Sequence, residues 1–174
     1  MIAGDKVEVL CAAKGGGSEN KARLAMLNPS DSIADWVVNT VASLGAGWCP
    51  PGVLGLGIGG TPEKAMLLAK KSLMAPVDLH DLQAKAASGA TLNRLESLRL
   101  ELFDRINALG IGAQGLGGLT TVLDVKILDY PTHAASLPVA LIPNCAAARH
   151  IHFELDGSGP ARFAPPRLED WPDV

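Results

Sequence analysis

The side chains best suited to chemistry in this chain are two cysteines, one histidine and a run of glycines. Cys49 stands in "GAGWCPPG" and Cys145 in "IPNCAAA". Each thiol sits beside prolines, which fix the backbone that presents it. They are far apart in the chain, so only the fold can bring them together. Two thiolates on rigid loops suit a metal ion or an iron–sulfur cluster. The pattern also suits two unrelated loop cysteines, because no C-x-x-C pair is present. His133, in "YPTHAAS", falls in a loop after a strand. An imidazole there can donate to a bound anion, or exchange a proton with it, near neutral pH. Gly15, Gly16 and Gly17, in "KGGGSENK", follow another strand, and their consecutive N–H groups can form an anion-binding concavity. This is not a phosphate loop of the G-x-x-x-x-G-K-[ST] type.

The other reactive residues read as structural. Cys11 falls on the apolar face of a strand, where a buried, inert thiol is expected. His150 and His152 share the polar side of "HIHFEL" and are expected to face solvent, with a metal pair as the alternative. His80 reads as a surface residue. Gly55, Gly57 and Gly60 match a G-x-G-x-x-G spacing ahead of a helix, yet no acidic residue follows at the distance a dinucleotide site requires. Close strand–helix packing is the expectation for them.

These residues need a scaffold. "KVEVLCAA", "VLGLGIGG", "VLDVKILDY", "LPVALIPN" and "HIHFEL" read as strands. "VLDVKILDY" alternates, with Leu123, Val125 and Ile127 opposite Asp124 and Lys126. "NPSDSIADWVVNTVASLG" reads as a helix capped by Ser30 or Asp31, with Ile33, Trp36, Val37, Thr40, Val41 and Leu44 on its apolar stripe. "TPEKAMLLAKKSL" begins with Thr61 at the N-cap and Pro62 at the first helical position. "TLNRLESLRLELFDRINALG" has the clearest helical spacing, ending at Gly110. The tail "GSGPARFAPPRLEDWPDV" is rich in proline and glycine and is expected to wrap the surface. The mixture predicts an α/β (mixed α+β) fold: a mixed sheet packed with helices, with glycine-rich loops forming a site at one edge.

Composition limits the function classes. The chain has 174 residues, 48% of them hydrophobic, enough for a single domain with a core of small aliphatic side chains. A net charge of −3 argues against nucleic acid and anionic membranes as partners. No run of eighteen apolar residues is present to span a bilayer, and "MIAGDKVEVLC" does not read as a signal peptide. Three widely spaced cysteines do not suggest a disulfide framework, so a cytoplasmic, reducing compartment is expected.

Taken together, "KGGGSENK", "GAGWCPPG", "GIGGT", "LGIGAQGLGG", "YPTHAAS" and "IPNCAA" resemble, in one collinear order, the iron–sulfur class I fumarate hydratases and the related tartrate dehydratase alpha subunits. The resemblance implies a hydro-lyase that reversibly hydrates fumarate to L-malate, with a [4Fe-4S] cluster acting as Lewis acid. It implies Cys49 and Cys145 as two of three cluster ligands and His133 as a catalytic, substrate-contacting histidine. It implies Gly15, Gly16 and Gly17 as backbone that approaches substrate. Gln114 lies in a family motif without an implied contact. The family's first cluster cysteine lies in a "CQDTG"-like motif upstream of the matching region, and Cys11 does not stand in that context. Residues 1–174 are therefore expected to form one domain, a partial alpha region lacking the upstream ligand segment and the C-terminal beta domain. Such a chain is expected to bind no stable cluster alone, to be inactive alone, and to self-associate as a homo-oligomer. The alternatives are an L-tartrate dehydratase alpha-type fragment and a non-catalytic assembly domain.

Overall fold

The structure, a computed structural model, describes residues 4–76 and 78–163. The part of the expected surface-wrapping tail beyond Phe163 lies outside the described residues.

A four-stranded mixed sheet forms the centre. Its strands are β2 (Arg23–Leu27), β3 (Gly52–Gly59), β4 (Val122–Tyr130) and β5 (Leu137–Cys145). Their order is β2-β5-β3-β4, with β3 parallel to β4 and antiparallel to β5. The faces of β3 differ in residue size. Leu54, Leu56 and Ile58 point toward α2 (Ile33–Ser43) and α5 (Arg94–Asn107), joining Val37, Val41, Leu102 and Ile106 in the main core. Gly55 and Gly57 face the other way, against α3 (Pro62–Ser72). A Cβ on Gly57 would overlap the carbonyl oxygen of Ala65, and one on Gly55 that of Ala69. These glycines therefore serve close strand–helix packing, as expected.

Local signals fix the helix ends. Ser32, one residue beyond the expected Asp31, caps α2 by accepting from the Asp35 N–H. Thr61 caps α3 with Pro62 in its first turn. Asn93 and Glu96 form a reciprocal capping box on α5.

The alternation in β4 does not produce a solvated polar face. Asp124 and Lys126 are buried, whereas Leu123 is exposed. Arg99 of α5 donates to Asp124 at 3.0 Å and to Asp78, which precedes α4 (Leu79–Ala87). Lys126 bonds Asp78 and the Pro76 carbonyl. Pairing and hydrogen bonding let these charges leave water.

A second, three-stranded sheet projects from the body, ordered β1-β6-β7. It pairs β1 (Val7–Ala13) with β6 (Arg149–Leu155) antiparallel, and β7 (Arg162–Phe163) lies on the far side of β6. The apolar face carrying Val7, Cys11, Ile151, Leu155 and Phe163 is exposed. Cys11 is thus not the buried thiol its strand position suggested, because nothing among the described residues packs over that face. On the same sheet His150 is exposed, as expected, with its pKa held somewhat below the usual histidine value by partial desolvation, whereas His152 is half-buried rather than solvent-facing.

Candidate active site

Three of the glycine-rich segments meet at one end of the central sheet. The first is a single helical turn, α1 (Gly16–Glu19), entered from β1 through Lys14 and Gly15. The second is a 3-10 turn, Gly45–Trp48, leading to Cys49. The third is the loop at residues 110–118, held by backbone bonds from Gly117 to Ile111 and from Gly118 to Gly110.

Trp48 anchors the second segment, with its side chain fully buried in the main core. Cys49 follows in a left-handed conformation, at φ 58°, and is exposed. A non-glycine residue rarely holds this geometry unless its surroundings impose it. The imposing bonds are visible. The Cys49 N–H donates to Ala46 at 2.9 Å, the Gln114 N–H donates to the Pro50 carbonyl at 2.7 Å, and the Ala146 N–H donates to the Pro51 carbonyl at 3.3 Å. Gln114 is itself left-handed, at φ 55°. Cys145 ends β5 opposite Gly52 in the ladder. The two thiols thus occur on adjoining loops, tied through Pro50, Pro51 and Gly52.

The first segment lies against both loops. A Cβ built on Gly15 would come within 3.9 Å of the Cys145 sulfur. One on Gly17 would come within 2.7 Å of the Gly47 carbonyl oxygen, so only glycine allows this approach. Ser18 is buried and donates to the Gly15 carbonyl at 2.9 Å, closing the turn.

His133 is elsewhere. It lies between the end of β4 and the start of β5, whereas Cys145 ends β5. Nine residues of strand at about 3.3 Å each put roughly 26 Å between the two ends of β5. His133 lines an open groove of about 700 Å³ with Gly60, Thr61, Lys64, Tyr130 and Ser136. Its Nδ1 accepts from the Ala135 N–H at 3.1 Å, which leaves Nε2 to carry the outward proton. One copy of the chain therefore joins Gly15, Gly16, Gly17, Cys49 and Cys145, and does not join His133 to them. The motif "YPTHAAS" does not reveal which end of its strand it occupies, and within one copy that end is the one away from the thiols.

Reading "KGGGSENK" for its glycines also missed the lysines that bracket it. Lys14 is largely buried, with 12% of its side chain exposed. It donates to Ser18 Oγ at 3.1 Å and pairs with Glu19 at 2.9 Å. Burial lowers its pKa, opposed by the Glu19 bond and by its proximity to Cys145. Lys70 of α3 pairs with the other Glu19 oxygen at 2.5 Å. Lys21 reaches Gly47, where a Cβ would meet its Cε at 2.9 Å and its Nζ at 3.5 Å.

The sequence from Met1 to residue 154 matches the family model described as "Fumarate hydratase (Fumerase)". The chain belongs to that family. It is 43% identical over 147 residues to a Methanocaldococcus jannaschii protein provisionally named as an L(+)-tartrate dehydratase subunit alpha, covering 83% of this chain and 48% of the relative. It is 32% identical to the L(+)-tartrate dehydratase subunit alpha of Escherichia coli, over 87% of this chain and 50% of the relative. It is 33% identical to the anaerobic class I fumarate hydratase of Escherichia coli, over 91% of this chain and 29% of the relative. The chain thus spans about half the length of the tartrate dehydratase relatives and less than a third of the class I fumarase.

For a member of this family, the donor set is the test of the iron–sulfur reading. Cys49 and Cys145 supply two thiols on adjoining loops. Among the described residues, no group of three or more His, Cys, Asp or Glu side chains is arranged to hold a metal ion. The described residues therefore fit part of a cluster site and not a complete one. Among them, no helix is long and apolar enough to cross a membrane.

Proposed function

We propose that this chain is the alpha-region core of a hydro-lyase of the class I fumarate hydratase and tartrate dehydratase type. The observation that carries the reading is the meeting of Cys49, Cys145 and the Gly15–Gly17 segment at one end of the sheet. Cys49 and Cys145 contribute two of the cluster's thiolates, and the remaining ligand and the proton-transfer groups come from another segment or subunit. Leu116 and Leu119, 89% and 94% exposed in and just after the third loop, are apolar surface that such a partner covers. The substrate is a small dicarboxylate, either fumarate with L-malate or L(+)-tartrate. All three cysteines are free, in keeping with a reducing, cytoplasmic setting.

Anaerobic reconstitution with iron and sulfide tests this, read by iron counting and visible absorption. The assembled enzyme is expected to hold a four-iron cluster that is lost on Cys49→Ser or Cys145→Ser, and the chain alone is expected to hold none. A stable four-iron species on the chain alone overturns the division of ligands, and an assembled enzyme indifferent to both substitutions overturns the site. Comparing turnover of malate, fumarate and tartrate then fixes the substrate.

A further inference from the structure

Within one copy of the chain, His133 lies at the far end of β5 from the thiols, so the groups able to hold an anion beside the cysteines are others. We propose that Lys14, flanked by Lys21 and Arg149, is the carboxylate-binding cradle at the cysteine end. This rests on the hydro-lyase reading for the identity of the ligand, and on the structure for the residues.

Charge is the first argument. The chain is acidic overall, at −3. At the cysteine end, however, Lys14 and Lys70 share the Glu19 carboxylate, Lys21 reaches Gly47, and Arg149 sits in the turn after Cys145. Arg149 donates to the carbonyls of Ala146 and Ala148 at 3.2 and 2.9 Å, so its guanidinium stays in the turn that follows Cys145. It also faces Ala13 in the β1–β6 ladder, next to Lys14.

Donor geometry is the second. An ammonium has three N–H groups. Ser18 Oγ and Glu19 take two from Lys14, leaving the third without an acceptor among the described residues. Glu19 is held in turn by Lys70, and Ser18 by the Gly15 carbonyl. The ammonium is thus fixed before any ligand arrives and loses little freedom on binding one. Partial burial strengthens a charge-assisted bond to a carboxylate over the same bond in water. Ser18 Oγ, which Lys14 bonds at 3.1 Å, and the Cys145 sulfur lie 3.7 and 3.9 Å from one point, a Cβ built on Gly15. A carboxylate held on Lys14 therefore places the rest of a small dicarboxylate beside the thiols.

Calorimetric titration of the full reduced chain with succinate and L-malate, at millimolar concentrations, tests the cradle. Lys14→Met is expected to weaken binding by about tenfold or more, as loss of a charge-assisted bond does. Lys21→Gln and Arg149→Gln are expected to weaken it less, and the distant Lys85→Gln not at all. Replacing the ligand carboxylates by amides is expected to abolish binding. If Lys14→Met does not fold, as judged by its melting curve, the Lys21 and Arg149 variants carry the test. Undiminished binding in those variants, loss of binding in His133→Asn instead, or no dicarboxylate binding by the chain overturns the proposal. Because neither iron nor turnover is read, failure of the hydro-lyase reading would show separately in reconstitution.

Discussion

The two ends of β3 are built from similar residues and put them to different uses. At its far end, Gly59 and Gly60 turn the chain into α3, beside the Tyr130–Ser136 loop. That loop is held by its own residues and by one bond to the β3–α3 turn. Thr132 bonds the Gly60 carbonyl at 2.9 Å and contacts Ser136 at 3.0 Å, and His133 is engaged by its own loop. At its near end, glycines bring three segments together around two thiols, and the charged groups there are clamped across segments. Glycine density alone does not mark a site. What distinguishes the near end is that backbone from separate parts of the chain converges on side chains with chemistry.

Four substitutions or conditions would break or sharpen this contrast. The largest effect belongs to Trp48→Ala, which empties a fully buried site beneath the Cys49 loop. A loss of about 3–5 kcal/mol is expected in urea unfolding, as for other buried aromatics; a loss below about 1 kcal/mol would mean Trp48 does not anchor this end. Gly17→Ala pushes a Cβ against the Gly47 carbonyl. It is expected to cost about 1–3 kcal/mol by overpacking and to change the alkylation rate of Cys145. An unchanged rate would show that the two loops are not in register.

Acidification gives a smaller, local effect. Bonds from Lys70 and Lys14 hold the Glu19 carboxyl below its usual value of 4.5. A carboxyl with a depressed folded pKa stabilises the fold above its unfolded value, and the stabilisation is lost as pH falls through the folded one. Amide exchange in residues 15–19 is therefore expected to rise below about pH 4.5, with the 131–136 loop unaffected. Equal change in both loops would remove the contrast. Smallest is His133→Ala, on an exposed loop, where a stability change within about 0.5 kcal/mol is expected and the reactivity of Cys145 stays the same. A shift in that reactivity would place His133 at the thiols after all, through a second copy.

Much of the scaffold was legible because its signals are local. The Thr61–Pro62 start of α3, the capping box of α5 and the glycine face of β3 each depend on neighbours in sequence. β2 went unread because "RLAML" is short and does not alternate, and it becomes a strand by pairing with β5. α4 went unread because Asp78 makes no side-chain cap and is engaged with Arg99 and Lys126 instead. The site divides the same way. Cys49, Cys145 and the glycine loop were singled out by residue type, and the fold brings them together. Lys14 and the displacement of His133 depend on which strand ends coincide, which only tertiary pairing determines.

The projecting sheet has a consequence for the thiols. β1 runs directly into Lys14, and β6 begins just after the turn that follows Cys145. Their ladder ends with Ala13 opposite Arg149. The pair of strands therefore acts as a ruler: a ladder of seven rungs, ending beside the site, sets how far the ammonium stands from the sulfur. A slip of one rung would move Lys14 by about 3.4 Å along the strand and turn every side chain of β1 to the opposite face.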